Sequence, residues 1–110
     1  EEFYSNLLET IKNKEVDLVM SDMAPNISGV KVSDQAKSIY LAELARSIAV
    51  DTLKVRGNFV CKLFYGQGMD QFVKETREQF EKVNLFKPPA SRKESSEIFL
   101  IAKHFYGKSV

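Results

Sequence analysis

An α/β domain, with a mostly parallel sheet and an antiparallel last strand, is the fold the sequence predicts. Three observations predict it. Short apolar runs alternate with longer stretches of helical periodicity as far as residue 86, a pattern that builds right-handed crossovers and a parallel sheet covered on both faces. The last two apolar runs are separated only by Pro88-Pro89 and a polar stretch, so they pair antiparallel as a hairpin. The 110 residues, 44% hydrophobic and 28% charged, suffice for one core and are too few for two.

The elements follow in the order α-β-α-β-α-β-β. Residues 2–14 place Phe3, Leu7, Leu8 and Ile11 at helical spacing. The run Val16–Met20, bounded by charge, suits a strand buried on both faces of a parallel sheet. Residues 23–33 are loop, broken by Pro25, Asn26, Ser28 and Gly29. Ser33 can cap a helix over 34–55, with Ala36, Tyr40, Leu44, Ile48 and Leu53 along its inner face and Gly57 ending it. Asn58–Tyr65 is strand-like and halted by Gly66 and Gly68. Residues 69–82 form an amphipathic helix through Met69, Phe72, Val73, Thr76 and Phe80. Val83–Phe86 is a short strand, and Glu97–Phe105 is the long closing one.

The net charge of +1 is unevenly spread. Residues 1–22 carry two lysines against six acids, whereas residues 82–110 carry six basic residues against two acids. A basic end is a candidate phosphate-facing surface as well as a solvated face. Cys61 is the only cysteine, so neither a disulfide framework nor a cysteine-based zinc site is available, and no metal is expected. That usage fits a reducing compartment. No run of about 18 apolar residues spans a membrane and no leader pattern is present, so no membrane partner is expected.

Topology gathers three charges. Ligands of such sheets collect at the carboxyl ends of the parallel strands. Asp22 closes the first strand, Lys62 lies near the carboxyl end of the second within Phe59-Val60-Cys61-Lys62-Leu63-Phe64, and Glu97 opens the reversed last strand. All three therefore belong to one rim. A lysine among apolar neighbours needs a partner, since a buried unpaired ammonium costs several kcal/mol. Pairing alone accounts for such a group. So does a site that steers a proton or stabilises an oxyanion.

The motifs Ser21-Asp22-Met23-Ala24-Pro25-Asn26, Lys62-Leu63-Phe64-Tyr65-Gly66-Gln67-Gly68, Lys87-Pro88-Pro89-Ala90-Ser91-Arg92 and Ser95-Ser96-Glu97-Ile98-Phe99 resemble, in order and separation, the FtsJ-type RNA 2′-O-methyltransferases. The resemblance covers nearly the whole chain. It implies a Rossmann-like class I methyltransferase fold, S-adenosylmethionine as cofactor, and a Lys-Asp-Lys-Glu tetrad whose last three members fall on Asp22, Lys62 and Glu97. Met23 is similar to the bacterial branch, and its mitochondrial counterpart, that methylates a uridine ribose of large-subunit ribosomal RNA. Branches acting on tRNA or precursor rRNA tend to carry glycine there.

The family's glycine-rich cofactor loop, the acid that holds the cofactor's ribose and the first lysine of the tetrad have no counterpart in this sequence. Residues 1–110 are therefore expected to be the carboxy-terminal half of a single methyltransferase domain, inactive alone and prone to aggregate, dimerise or be poorly ordered. The resemblance implies that Lys62 orients the ribose 2′-hydroxyl and accepts its proton, or else serves as a fixed cation. Burial favours the neutral amine and the two acids favour the ammonium; the expectation leans towards the base. Asp22 would face the cofactor's methyl-bearing end, and Glu97 would position Lys62 or the ribose. Lys87, Arg92 and Lys93 are candidates for RNA phosphates. Tyr65 is expected to pack, His104 to be a surface or core residue, and Cys61 to fill the core. The competing function is a non-catalytic RNA-binding or ribosome-assembly module; a nucleotide-binding oxidoreductase is disfavoured by the lack of a dinucleotide fingerprint.

Overall fold

The computed structural model describes residues 16–22, 29–87 and 97–107. The expected helix over 2–14, most of the loop over 23–33, and Arg92 and Lys93 lie outside the described residues. The elements are β1 (Val16–Ser21), α1 (Lys31–Thr52), β2 (Leu53–Phe64), α2 (Met69–Arg77), β3 (Phe80–Phe86) and β4 (Glu97–Phe105). They form one sheet of order β1-β2-β4-β3. β1 runs parallel to β2, and β4 is antiparallel to both β2 and β3. The predicted hairpin of the last two strands is present, but β4 also slides between β3 and β2 and becomes an inner strand.

Helix α1 starts and ends earlier than the sequence predicts. Its N-cap is Val30, which makes no side-chain capping bond, and Ser33 lies inside the helix. The capping role passes to Asp34, whose Oδ2 accepts the Gly29 N–H at 3.2 Å. At the far end, Thr52 is the last helical residue and Leu53 already belongs to β2, so Gly57 sits within the strand instead of stopping the helix. The pairing register with β1 jumps between Val16↔Leu53 and Leu18↔Asn58. Arg56, at φ 75°, absorbs part of that irregularity.

The inner face of α1 shares Ile48 with the predicted row but not Ala36, Tyr40 or Leu44. Tyr40 is 51% exposed, whereas Ser38, Ala42, Ala45, Ile48, Ala49 and Thr52 are buried. Small residues at this spacing bring the helix backbone close to the sheet, and the strands supply the bulk through Phe59, Leu63 and Leu100. Helix α2 buries Met69, Phe72, Val73 and Thr76 as predicted, then stops at Arg77. Phe80 joins the core as the first residue of β3, stacked on Phe59 and tilted against Phe105 at centroid separations of 6.1 and 5.2 Å.

Both helices lie on one face of the sheet, where Arg46 of α1 ties them together. Its guanidinium sits 4.4 Å from the centroid of the Phe72 ring, donates to the Phe72 carbonyl and Thr76 Oγ1, and pairs with Glu75 at 2.9 Å. The sheet's other face carries Leu18, Met20 and Val60 in one set of register positions and Phe99 and Ile101 in the next. Leu18 is 49% and Met20 66% exposed, so among the described residues β1 is not buried on both faces. It is the edge strand of the described sheet, and neither described helix covers that side.

Candidate active site

The carboxyl edge of the sheet brings together the three charges that the topology predicts. In β2, the alternation that sends Phe59, Cys61 and Leu63 into the helix-covered core sends Lys62 to the opposite face. Ser21 pairs in register with Cys61, so Asp22 stands one step further, beside Lys62. Across β2 and β4, Lys62 faces Phe99 and Phe64 faces Glu97. Glu97 is thus the diagonal neighbour of Lys62 on the same face.

Lys62 Nζ lies 2.7 Å from Asp22 Oδ1 and 3.6 Å from Glu97 Oε2. Its side chain is only 17% exposed, against 73% for Asp22 and 43% for Glu97. One largely shielded cation is therefore held between two solvated acids. The hydrogen bond to Asp22 strengthens the lysine's hold on its proton, burial weakens it, and the Glu97 charge strengthens it again; the balance sets its pKa above the ordinary 10.5. The ammonium is the resting form. The arrangement can stabilise a developing oxyanion next to Nζ, and its exposed carboxylates can face a cationic ligand.

The loop after β2 is fixed by two residues that sequence reasoning passed over. Gln35 Nε2 donates to the carbonyls of Phe64 and Gln67 at 2.9 and 3.0 Å, and Ser38 Oγ accepts the Phe64 N–H at 3.0 Å. Both lie in the first turns of α1, three residues apart on one helix face, which was the available signal. A Cβ at Gly66 would stand 3.1 Å from Gln35 Cδ, so a larger residue there would push on the clamp. Gly68 caps α2 at φ 92°, a conformation that favours glycine.

The remaining predicted residues divide. Lys87, directly after β3, reaches the same edge and donates to the Glu97 carbonyl at 3.4 Å. Tyr65 does not pack: it is 67% exposed. Cys61 is buried in the core as expected, and burial pushes its thiol up to about 12. His104 lies away from the rim, paired through Nδ1 with Glu81 Oε1 at 2.9 Å, in a left-handed backbone conformation at φ 65°. Arg56 pairs with the same Glu81 oxygen at 3.1 Å. No group of three or more metal-ligating side chains occurs among the described residues, and no described helix is long and apolar enough to cross a membrane.

Comparison with known proteins places this geometry in a family. The model of the FtsJ-like methyltransferases matches residues 1–105. The ribosomal RNA large subunit methyltransferase E of Francisella tularensis subsp. novicida is 51% identical over 107 residues, 97% of this chain and 52% of its own. The protein of the same name from Marinobacter nauticus is 48% identical over 105 residues, 96% of this chain and 51% of its own. Among solved structures, a ribosomal RNA methyltransferase from Plasmodium falciparum superposes with a TM-score of 0.80 at 25% identity, over 94% of this chain and 54% of that one. An rRNA methylase from Streptococcus thermophilus, at TM-score 0.55 and 11% identity over 93% of this chain and 54% of its own, shares the fold. The chain spans about half the length of the curated relatives it matches. With the matched family model covering nearly all of it, the chain belongs to the FtsJ-like methyltransferase family.

Proposed function

We propose that this chain is the carboxy-terminal half of an S-adenosylmethionine-dependent methyltransferase that modifies ribose 2′-hydroxyls of large-subunit ribosomal RNA in the cytoplasm. The observation that carries the reading is Lys62 Nζ held between Asp22 and Glu97, 2.7 and 3.6 Å away, at the carboxyl edge of the sheet. Asp22 fits the cofactor: an exposed carboxylate at the end of a parallel strand is suited to a sulfonium cation. When bound, S-adenosylmethionine supplies an electrophilic methyl group. Lys62, protonated at rest, donates to the ribose 2′-oxygen and stabilises the alkoxide charge that develops there. This favours the fixed-cation role over the neutral base that the sequence suggested. Glu97 orients the ammonium, and an exposed carboxylate of the rim, Asp22 or Glu97, takes the hydroxyl proton as the methyl group is transferred. Lys87, and with it Arg92 and Lys93 on the following segment, would hold RNA phosphates.

The test uses the full-length protein, methyl-labelled cofactor and large-subunit rRNA lacking the modification. Label recovered in alkali-resistant dinucleotides supports ribose transfer. A full-length protein that binds the RNA and transfers nothing would instead be a non-catalytic RNA-binding or assembly module.

A further inference from the structure

Two exposed aromatic side chains stand at the same edge as Lys62 with no role in methyl transfer. Tyr65 follows β2 directly, three residues beyond Lys62, and is 67% exposed. Phe86 ends β3 and is 48% exposed. Because β2 and β3 both run antiparallel to β4, their carboxyl ends lie on one edge, on either side of Glu97. The register gives the spacing. Lys62 pairs with Phe99, which pairs with Phe86, so the three share one row across three strands. Phe86 is then about 10 Å from Lys62 across the sheet, and Tyr65 about 10 Å along the strand.

Neither ring is exposed because its backbone is loose. The Tyr65 backbone is bracketed by the two Gln35 bonds to Phe64 and Gln67, by the Ser38 bond to Phe64, and by Met69 N–H donating to the Gly66 carbonyl at 3.2 Å. With glycine at position 66, the ring has no side chain next to it on that side. Phe86 is fixed by its place in the β3–β4 ladder. Lys87 follows Phe86 directly and puts a cation at this edge. Rigid aromatic faces interleaved with cations are what a single-stranded nucleic acid recognises: the charges hold phosphates and the rings stack bases, largely regardless of sequence.

We propose that Tyr65 and Phe86 are stacking platforms for unpaired RNA bases along the edge at which Lys62 stands. The proposal rests on the RNA-substrate reading and specifies its form: the target segment is single-stranded and splayed at this edge. It gives Gln35 the role of a positioning residue, which keeps Tyr65 extended into solvent.

The experiment uses the full-length protein with Tyr65→Trp and Phe86→Trp, each read against wild type as the change in indole fluorescence on adding a short single-stranded oligoribonucleotide. Stacking predicts quenching by the oligonucleotide and its loss when the corresponding bases are removed but the phosphates kept. In transfer assays, Tyr65→Ala and Phe86→Ala should each raise KM about five- to 150-fold, the range of a lost base stack. They should leave kcat and the melting temperature near wild type, and Tyr65→Phe should restore KM. Gln35→Ala should raise KM in the same direction, with no added effect on a Tyr65→Ala background. Equal quenching by abasic RNA, or unchanged KM in both alanine variants, overturns the proposal even if methyl transfer is intact; an unquenched indole that a protein partner protects would mark a protein-binding edge and overturn it too. Base-dependent quenching without any methyl transfer would sink the methyltransferase reading and leave the stacking one standing.

Discussion

Replacing Lys62 by methionine separates what the lysine does for the fold from what the proposed reaction would ask of it. Its side chain is 17% exposed, so the aliphatic stem is packed and the methionine chain fills much the same volume. What is removed is the charge at the tip. Where an ion pair is buried at both ends, deleting one partner costs about 3–5 kcal/mol, because the other charge is stranded. Here the partners are 73% and 43% exposed and recover water when the ammonium goes. The structural cost therefore falls in the range of a surface pair, roughly 0–1 kcal/mol. For a full-length protein about twice the length of this chain, that is a shift of about 2–4 °C or less in melting temperature. Transfer should fall roughly 100- to 1,000-fold, as when a preorganised oxyanion donor is lost. The measurements are a thermal melt and single-turnover methyl transfer on matched preparations. Two results refute the reasoning: transfer near the wild-type rate, or a stability loss of about 3 kcal/mol or more, which would make Lys62 a structural group.

Three further outcomes are expected. Lys62 has a raised pKa, so its contribution to stability is fully present below about 10.5 and is lost as pH rises through the folded value; wild type should lose stability above that pH more steeply than Lys62→Met in paired melts. The Cys61 thiol, buried and pushed up to about 12, should resist alkylation at neutral pH in the folded protein and react fully in denaturant, as followed by mass spectrometry; rapid native labelling would contradict its burial. Ala49 is 0% exposed on the small-residue face of α1, so Ala49→Leu should cost about 1–3 kcal/mol by overpacking, measured by urea denaturation, whereas Ala36→Leu on the exposed face should be nearly neutral.

The strands and the charged rim were legible in the sequence for one reason. β-Strand alternation and chain reversal are set by local pattern, and once Glu97–Phe105 runs backwards, Glu97 has to meet Asp22 and Lys62 at one edge. Helix faces and ends were less legible. Periodicity weights large apolar residues, so it chose Tyr40 and Leu44 for the inside of α1, whereas the sheet accepts the small side chains of Ala42, Ala45 and Ala49. Gly57 and Ser33 look like a stop and a cap, but the early pairing of Leu53 with Val16 overrides the first, and Asp34 replaces the second. Placing β4 between β2 and β3 is a matter of long-range pairing, which no window of sequence encodes. The clamp by Gln35 and Ser38 was missed because the backbone groups it holds, at Phe64 and Gln67, are distant in sequence.

The inner position of β4 has a consequence during synthesis. β3 has β4 as its only neighbour in the described sheet, and β2 and β3 have no direct pairing. Among the described residues, β3 therefore has no partner strand until residues 97–105 are made. Until those residues arrive, Lys62 has Asp22 but not Glu97, and the carboxyl edge has a gap where the rim should close. The described sheet is closed by its last strand and not by growth from β1. Any translation product that stops before Glu97 leaves β3 without its partner in the described sheet and Lys62 without its second acid.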